Sequence, residues 1–319
     1  MEEINLSTSR RIGRRDVFLF SHPRTASNLV THLLSQQPGW AQSEYHFRRA
    51  FHYARRALYG SEHRQLTCEQ RQEFEDLFQR GFSRLCQVRD AASKQGKCLF
   101  VKNHAFLLWD PCKLQDGGTA SPAGTNPTRL PDDFLASWQP VFLIRHPALV
   151  FESWYRAEMR VESIDIRDSA LDCFLTFRYS RRLYDWFVSR AVAPKDQETR
   201  TPDSASVYPI VLDANEIIET DSAIPKLCEL LNMDPLKVCY SWKPTRPPGD
   251  VGLSLLHVSY MGGFWASDSI DKTKSSTGLN IGVKEAQWKE EFGAVVADAL
   301  LTQVNNAMPD YNYLRDKRI

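Results

Sequence analysis

An α/β fold of three layers, with a central, mostly parallel sheet between two sets of helices, is predicted by three features of this 319-residue sequence. Short apolar runs rich in β-branched or aromatic residues recur at Val17 to Phe20, Cys98 to Val101, Val141 to Ile144 and Val207 to Leu212, the signature of strands buried on both faces. Longer stretches of helical character separate them, at Asn28 to Gln36, Cys68 to Ser93, Ala148 to Val161 and Ala170 to Ala191. Turn chemistry follows each run. Strands alternating with helices imply right-handed crossovers and a sheet covered on both sides.

The C-terminal third adds a helix near Ala223 to Leu231, an irregular Gly- and Ser-containing stretch from Pro244 to Gly282, and a last helix from Lys284 to Met308. Gln115 to Pro131 and Pro194 to Ser206 read as surface loops. Neither divides the chain, so residues 1–319 are read as one α/β domain.

Charge excludes several function classes. Forty basic against 39 acidic residues leave a net charge of +1, so no overall field favours nucleic acid or a membrane surface, and anion binding has to be local. The 7 cysteines contain no CxxC pair, which argues against a zinc site or a disulfide framework. No signal peptide and no run of about 18 apolar residues is present, so the expectation is a cytoplasmic protein. The basic run Arg10 to Arg15 reads as a solvated lead-in to the first strand or as a targeting signal.

Chemistry concentrates where strands end. The strand Val17 to Phe20 runs through Ser21-His22-Pro23-Arg24-Thr25-Ala26-Ser27-Asn28 directly into a helix. Such a turn directs free N–H groups and the positive helix end at one point, where Arg24 and the hydroxyls of Thr25 and Ser27 join them as a phosphate or sulfate site. The competing reading is an ordinary helix entry capped by Ser27 or Asn28. Neither G-x-x-x-x-G-K-[ST] nor G-x-G-x-x-G occurs, which disfavours an ATPase, a kinase or a dinucleotide dehydrogenase.

Two other strand ends add to this. After Val141 to Ile144 comes Arg145-His146-Pro147, with Ser153 in the following helix. Together they form a second anion grip, unless Arg145 pairs with a carboxylate and Ser153 merely fills space. After Cys98 to Val101 come Lys102 and His104, which a parallel sheet delivers to the same edge as the anion turn. A neutral histidine there is placed to take a proton from an attacking hydroxyl.

These residues resemble the cytosolic sulfotransferases that use 3′-phosphoadenosine 5′-phosphosulfate (PAPS), a P-loop-type group. Pro23-Arg24-Thr25-Ala26-Ser27-Asn28 is similar to the family's 5′-phosphosulfate turn. Arg145, Pro147 and Ser153 are similar to its 3′-phosphate grip, and Lys102 and His104 to its lysine and histidine base. The ending Met308 to Leu314 resembles a sulfotransferase-like branch common in fungi.

The sequence departs from the family at three places. Ala26 replaces the usual glycine, Leu29 stands where a tryptophan stacks on adenine, and no R-K-G triplet precedes the last helix, for which Lys272, Lys274, Ser275 and Ser276 are a candidate substitute.

The resemblance implies sulfuryl transfer from PAPS, without a metal, to a hydroxyl of a small, largely apolar metabolite. In it Arg24 steadies the leaving phosphate, Lys102 the sulfuryl oxygens, and His104 is the base. The acceptor pocket is expected from Phe106, Trp109, Trp154, Tyr155, Tyr260, Phe264 and Trp265, with Glu44, Tyr45 and His46 lining a lid. Two alternatives stay open. One is an enzyme of this fold that has given up PAPS for acid/base chemistry such as cyclisation, dehydration or isomerisation. The other is a non-catalytic protein that binds an anionic ligand.

Overall fold

A computed structural model describes residues 15–61, 65–111, 124–191, 208–245 and 255–319. The loop expected at 115–131 is therefore described only from residue 124, and 194–206 and the basic run at 10–14 lie outside the described residues.

Five strands, β1 (Val17–Ser21), β2 (Trp40–Glu44), β3 (Cys98–His104), β4 (Gln139–Ile144) and β5 (Ile210–Asp213), form one sheet in the order β2-β3-β1-β4-β5. Every pairing is parallel. Alternate side chains enter two cores, as the two-residue period of a strand requires. Phe18, Phe20, Leu99, Val101, Phe142 and Ile144 point into the larger one. Val17, Leu19, Phe100, Val141, Leu143 and Leu212 point into the smaller. The three-layer α/β architecture is thus the one the apolar runs predict.

Helices α1 (Ser27–Leu33), α2 (Arg48–Leu58), α3 (Cys68–Lys94), α4 (Asp132–Ala136), α5 (Pro147–Met159) and α6 (Arg178–Ala191) occupy the first two thirds of the chain. Helices α7 (Ala214–Glu219), α8 (Ala223–Leu230), α9 (Leu255–Trp265), α10 (Ile281–Phe292) and α11 (Ala294–Arg315) complete it. A capping box in which Thr67 and Gln70 bond each other's backbone starts α3 where the sequence places it. Among the described residues no helix is long and apolar enough to cross a membrane.

Several expectations are corrected. The helix expected over Ala170 to Ala191 is a 3-10 segment, Ser169–Phe174, followed by α6, because the Thr176 hydroxyl accepts from the Arg178 N–H and starts a new helix. The helix expected near Ala223 to Leu231 is preceded by another, α7, since Asp213 ends β5 and its carboxylate accepts from Asn215 N at 2.9 Å.

The stretch from Pro244 to Gly282 is not wholly irregular, because α9 lies within it. The last helix is two, broken at Gly293 with φ 87°, a value glycine adopts without penalty. It then continues past Pro309, and burial of Tyr311 and Leu314 holds that final turn in place.

The first strand occupies the middle of the sheet, with β3 on one side and β4 on the other. The chain builds outward from it first one way and then the other, and a ligand crevice opens at the carboxyl ends of strands at such a reversal. Ser21, His104 and Ile144, the last residues of these three strands, bring the anion turn, Lys102-Asn103-His104 and Arg145 to one edge.

Gly81 of α3 sets the position of the turn beyond β2. A Cβ there would lie 2.5 Å from the His46 carbonyl oxygen, so Gly81→Ala forces the Tyr45–His46 turn away. Overpacking of this kind costs about 1–3 kcal/mol, against a helix-propensity gain of about 1. Net destabilisation in urea unfolding is the expected result.

Candidate active site

The turn after β1 is held by its own side chains. Thr25 Oγ1 donates to the His22 carbonyl at 2.6 Å, which curls the chain and lets α1 begin at Ser27. Arg24 and Ala26 are both left-handed, at φ 67° and 64°. The residue preceding α1 is Ala26, and no side chain caps the helix there, so the ordinary entry capped by Ser27 or Asn28 does not occur. The N–H groups of Ala26, Ser27, Asn28 and Leu29 find no acceptor among the described residues.

Arg24 and Arg145 meet beside this turn. Arg24 Nε donates to Ser153 Oγ at 2.9 Å and its Nη1 to the Tyr260 carbonyl at 2.7 Å. Arg145 donates to the carbonyls of Arg24, at 3.1 Å, and Lys274, at 2.7 Å. Neither guanidinium has a carboxylate partner among the described residues, and the buried Arg145 Nε has no partner there. Burial, with Arg24 adding its repulsion, pulls the Arg145 pKa down to about 10. Burial also lowers that of Arg24.

A cavity of about 370 Å³ opens over both arginines, lined also by Ala26, Ser27, Asn28, Leu29, Ser153, Phe264 and Lys274. Neutral carbonyls and hydroxyls answer only part of two half-buried positive charges. Glu152 and Asp271 also line the cavity, and the space over the two arginines can take an anion.

A second cavity of about 300 Å³ adjoins it. Pro23, Asn28, Tyr45, His104 and Tyr260 border both, so His104 stands at the junction. Phe51, Phe106, Leu107 and Phe174 wall the second cavity. Polar groups complete it: Glu158 accepts from Arg55 at 2.7 Å and from the Tyr260 hydroxyl at 2.5 Å. Burial, followed by the charges of Arg55 and Arg48, pushes the His52 pKa down to about 4.

Burial, assisted by the nearby His22 and Lys102, holds the His104 pKa well below the ordinary histidine value of 6.5. Its imidazole is accordingly neutral near pH 7 and free to accept a proton. Lys102 is fully buried beneath the junction, its Nζ 2.5 Å from Asn28 Oδ1 and 2.6 Å from Glu44 Oε2. It also faces the Tyr45 ring at 4.8 Å.

The structure gathers Arg24, Ala26, Ser27, Asn28, His104, Arg145 and Ser153 around the first cavity. Lys102 reaches that group from below through Asn28, and the buried Thr25 braces the turn. The residues expected for the acceptor pocket divide. Phe106 lines the second cavity and Phe264 the first.

Trp109, Trp154, Tyr155 and Trp265 line neither cavity, which corrects that expectation. Trp154 stacks on Phe174 in the core, Trp109 packs on Tyr179, Tyr155 on Phe292, and Trp265 on His257. Glu44 and Tyr45 do line the second cavity, whereas His46 turns to Ser43. Tyr260, also expected there, borders both cavities, whereas sequence reading misses Arg55 and Glu158. One readable signal was the carboxylate of Glu158 on the stripe Phe151, Trp154, Tyr155 of α5, where a charge at apolar spacing marks a buried pair.

The chain is 32% identical over 328 aligned positions to "Sulfotransferase ppzF" of Metarhizium rileyi (strain RCEF 4871), covering 95% of each chain. It is also 32% identical over 330 positions to the protein of the same name from Metarhizium majus (strain ARSEF 297), covering 95% of this chain and 96% of that one. No protein-family model matches the chain, and no solved structure does.

Ala26 carries a methyl group at φ 64°, where L-residues pay roughly 1–2 kcal/mol. Glycine removes that cost but adds about 0.4–1 kcal/mol of unfolded-state entropy. Ala26→Gly is expected to raise stability by about 0.5–1 kcal/mol in denaturant titration.

Proposed function

We propose a reaction from one premise, that the chain belongs to the sulfotransferase family: it transfers a sulfuryl group from PAPS to a hydroxyl of a small molecule held in the second cavity. The observation that carries this reading is the junction, where a neutral histidine stands between a cavity that can take an anion and one walled by aromatic rings. The relatives' printed names support transfer over acid/base chemistry on the same fold, and over a non-catalytic binding protein.

The residues present fit the donor. The free amides from Ala26 to Leu29 and the Arg24 guanidinium suit its 5′-phosphosulfate. Arg145, Ser153 and Lys274 suit its 3′-phosphate. Lys274 borders the first cavity, and this part of the chain replaces the absent R-K-G triplet. Leu29, Ile218, Ile270 and Phe264 supply apolar surface for the base. When bound, the donor supplies an electrophilic sulfur and a phosphate leaving group.

The protein's own part is positioning and charge. Arg24 balances negative charge on the leaving oxygen, and Lys102 exchanges Glu44 for the sulfuryl oxygens. His104 takes the hydroxyl proton on Nε2, the ring nitrogen with no protein partner among the described residues. The acceptor is a flat molecule of a size suited to about 300 Å³, aromatic against Phe106 and Phe174. Because Arg55 and Glu158 also border that space, the acceptor carries a second polar group besides the hydroxyl that reacts.

Transfer from PAPS to a panel of phenols and aliphatic alcohols tests the reading. His104→Ala is expected to lower kcat by about 10²–10⁴-fold while nucleotide affinity holds. Near-wild-type turnover by this variant removes His104 from the base role. The base acts when deprotonated and its pKa is lowered, so turnover stays flat as pH falls to the ordinary histidine value of 6.5 and declines only well below it.

A further inference from the structure

Ser21, the last residue of β1, lies opposite His104 in the parallel register of β1 and β3. It is fully buried. Its Oγ is 2.9 Å from His104 Nδ1 and 3.4 Å from the Asn103 carbonyl oxygen. No role in anion binding follows from its position, because it lines neither cavity.

A serine hydroxyl has one proton to give and can also accept. If that proton goes to His104 Nδ1, the imidazole must carry its own on Nε2, and the nitrogen left toward the cavities has no lone pair. If instead the proton goes to the Asn103 carbonyl, Nδ1–H donates to Ser21 Oγ and Nε2 is the free base. The second arrangement pairs each of these groups, running from His104 to Ser21 to the Asn103 carbonyl. It also needs no rearrangement when Nε2 is protonated, since the imidazolium keeps its Nδ1–H···Oγ bond. A site organised in advance for the charged form is what lowers a barrier.

We infer that Ser21 is a positioning residue that fixes His104 in its Nδ1–H tautomer and so presents Nε2 as the base. The inference rests on the reading of His104 as the base, and it ties the strand that feeds the anion turn to the proton acceptor one strand away. The anion turn and the base are thereby held in fixed register.

Nitrogen NMR of protein labelled with ¹⁵N-histidine tests this, with His104→Ala identifying the signals. The wild type is expected to show the Nδ1-protonated form of His104, and Ser21→Ala a mixture of tautomers. The same variant is expected to lose about 10-fold in kcat, with the acceptor KM and nucleotide affinity unchanged, and Ser21→Thr to recover most of the loss. An Nε2-protonated ring in the wild type overturns the inference even if Ser21→Ala does not fold. An unchanged tautomer in Ser21→Ala overturns it too. A tautomer shift with unchanged kcat refutes His104 as the base, and with it the catalytic value of Ser21.

Discussion

Two half-buried guanidinium groups set side by side, with no carboxylate bonded to either among the described residues, are the constraint on which this site depends. Arg24 and Arg145 spend their donors on Ser153 and on the carbonyls of Tyr260, Arg24 and Lys274. Such neutral acceptors leave the charges underpaid in a poorly hydrated place. Burial and the neighbouring Arg24 lower the pKa of Arg145 for the same reason. Each partner comes from a different part of the chain, namely the turn after β1, α5, α9 and the segment before α10. The fold thus brings four separate segments to one pair of arginines.

Beside that charge lies the division of space. One wall is shared by two cavities, and His104 and Asn28 stand in it. The parallel sheet makes the placement inevitable: β1 and β3 are neighbours, so Ser21 and His104 end at one level. Lys102, two residues before His104, points the same way along its strand, and it waits paired with Glu44 from the edge strand. Helix α9 covers the junction through Tyr260, whose carbonyl binds Arg24 and whose hydroxyl binds Glu158.

Much of this was legible in the sequence. β1, β3 and β4 are apolar on both faces and announce themselves as runs, and the chemistry at their ends follows from the rule for parallel sheets. β2 was missed because an edge strand, Trp40-Ala41-Gln42-Ser43-Glu44, buries only its first residue fully and carries polar ones beyond.

Helix α9 was missed because Leu255-Leu256-His257-Val258-Ser259-Tyr260-Met261-Gly262-Gly263 has no helical stripe, and no residue of it is fully buried. The acceptor pocket failed for a different reason. Trp154 and Phe106 look alike on paper, and only packing decides that one fills the core and the other faces a cavity. Arg55, Glu158 and Tyr260 are joined by the fold alone, from helices more than 100 residues apart.

Calorimetric titration with adenosine 3′,5′-bisphosphate asks most directly whether the arginine pair is a nucleotide site. Saturable binding by the wild type, weakened about tenfold or more in Arg145→Ala and partly restored in Arg145→Lys, is the predicted result. Absence of binding by folded wild-type protein, or equal affinity in Arg145→Ala, would contradict it.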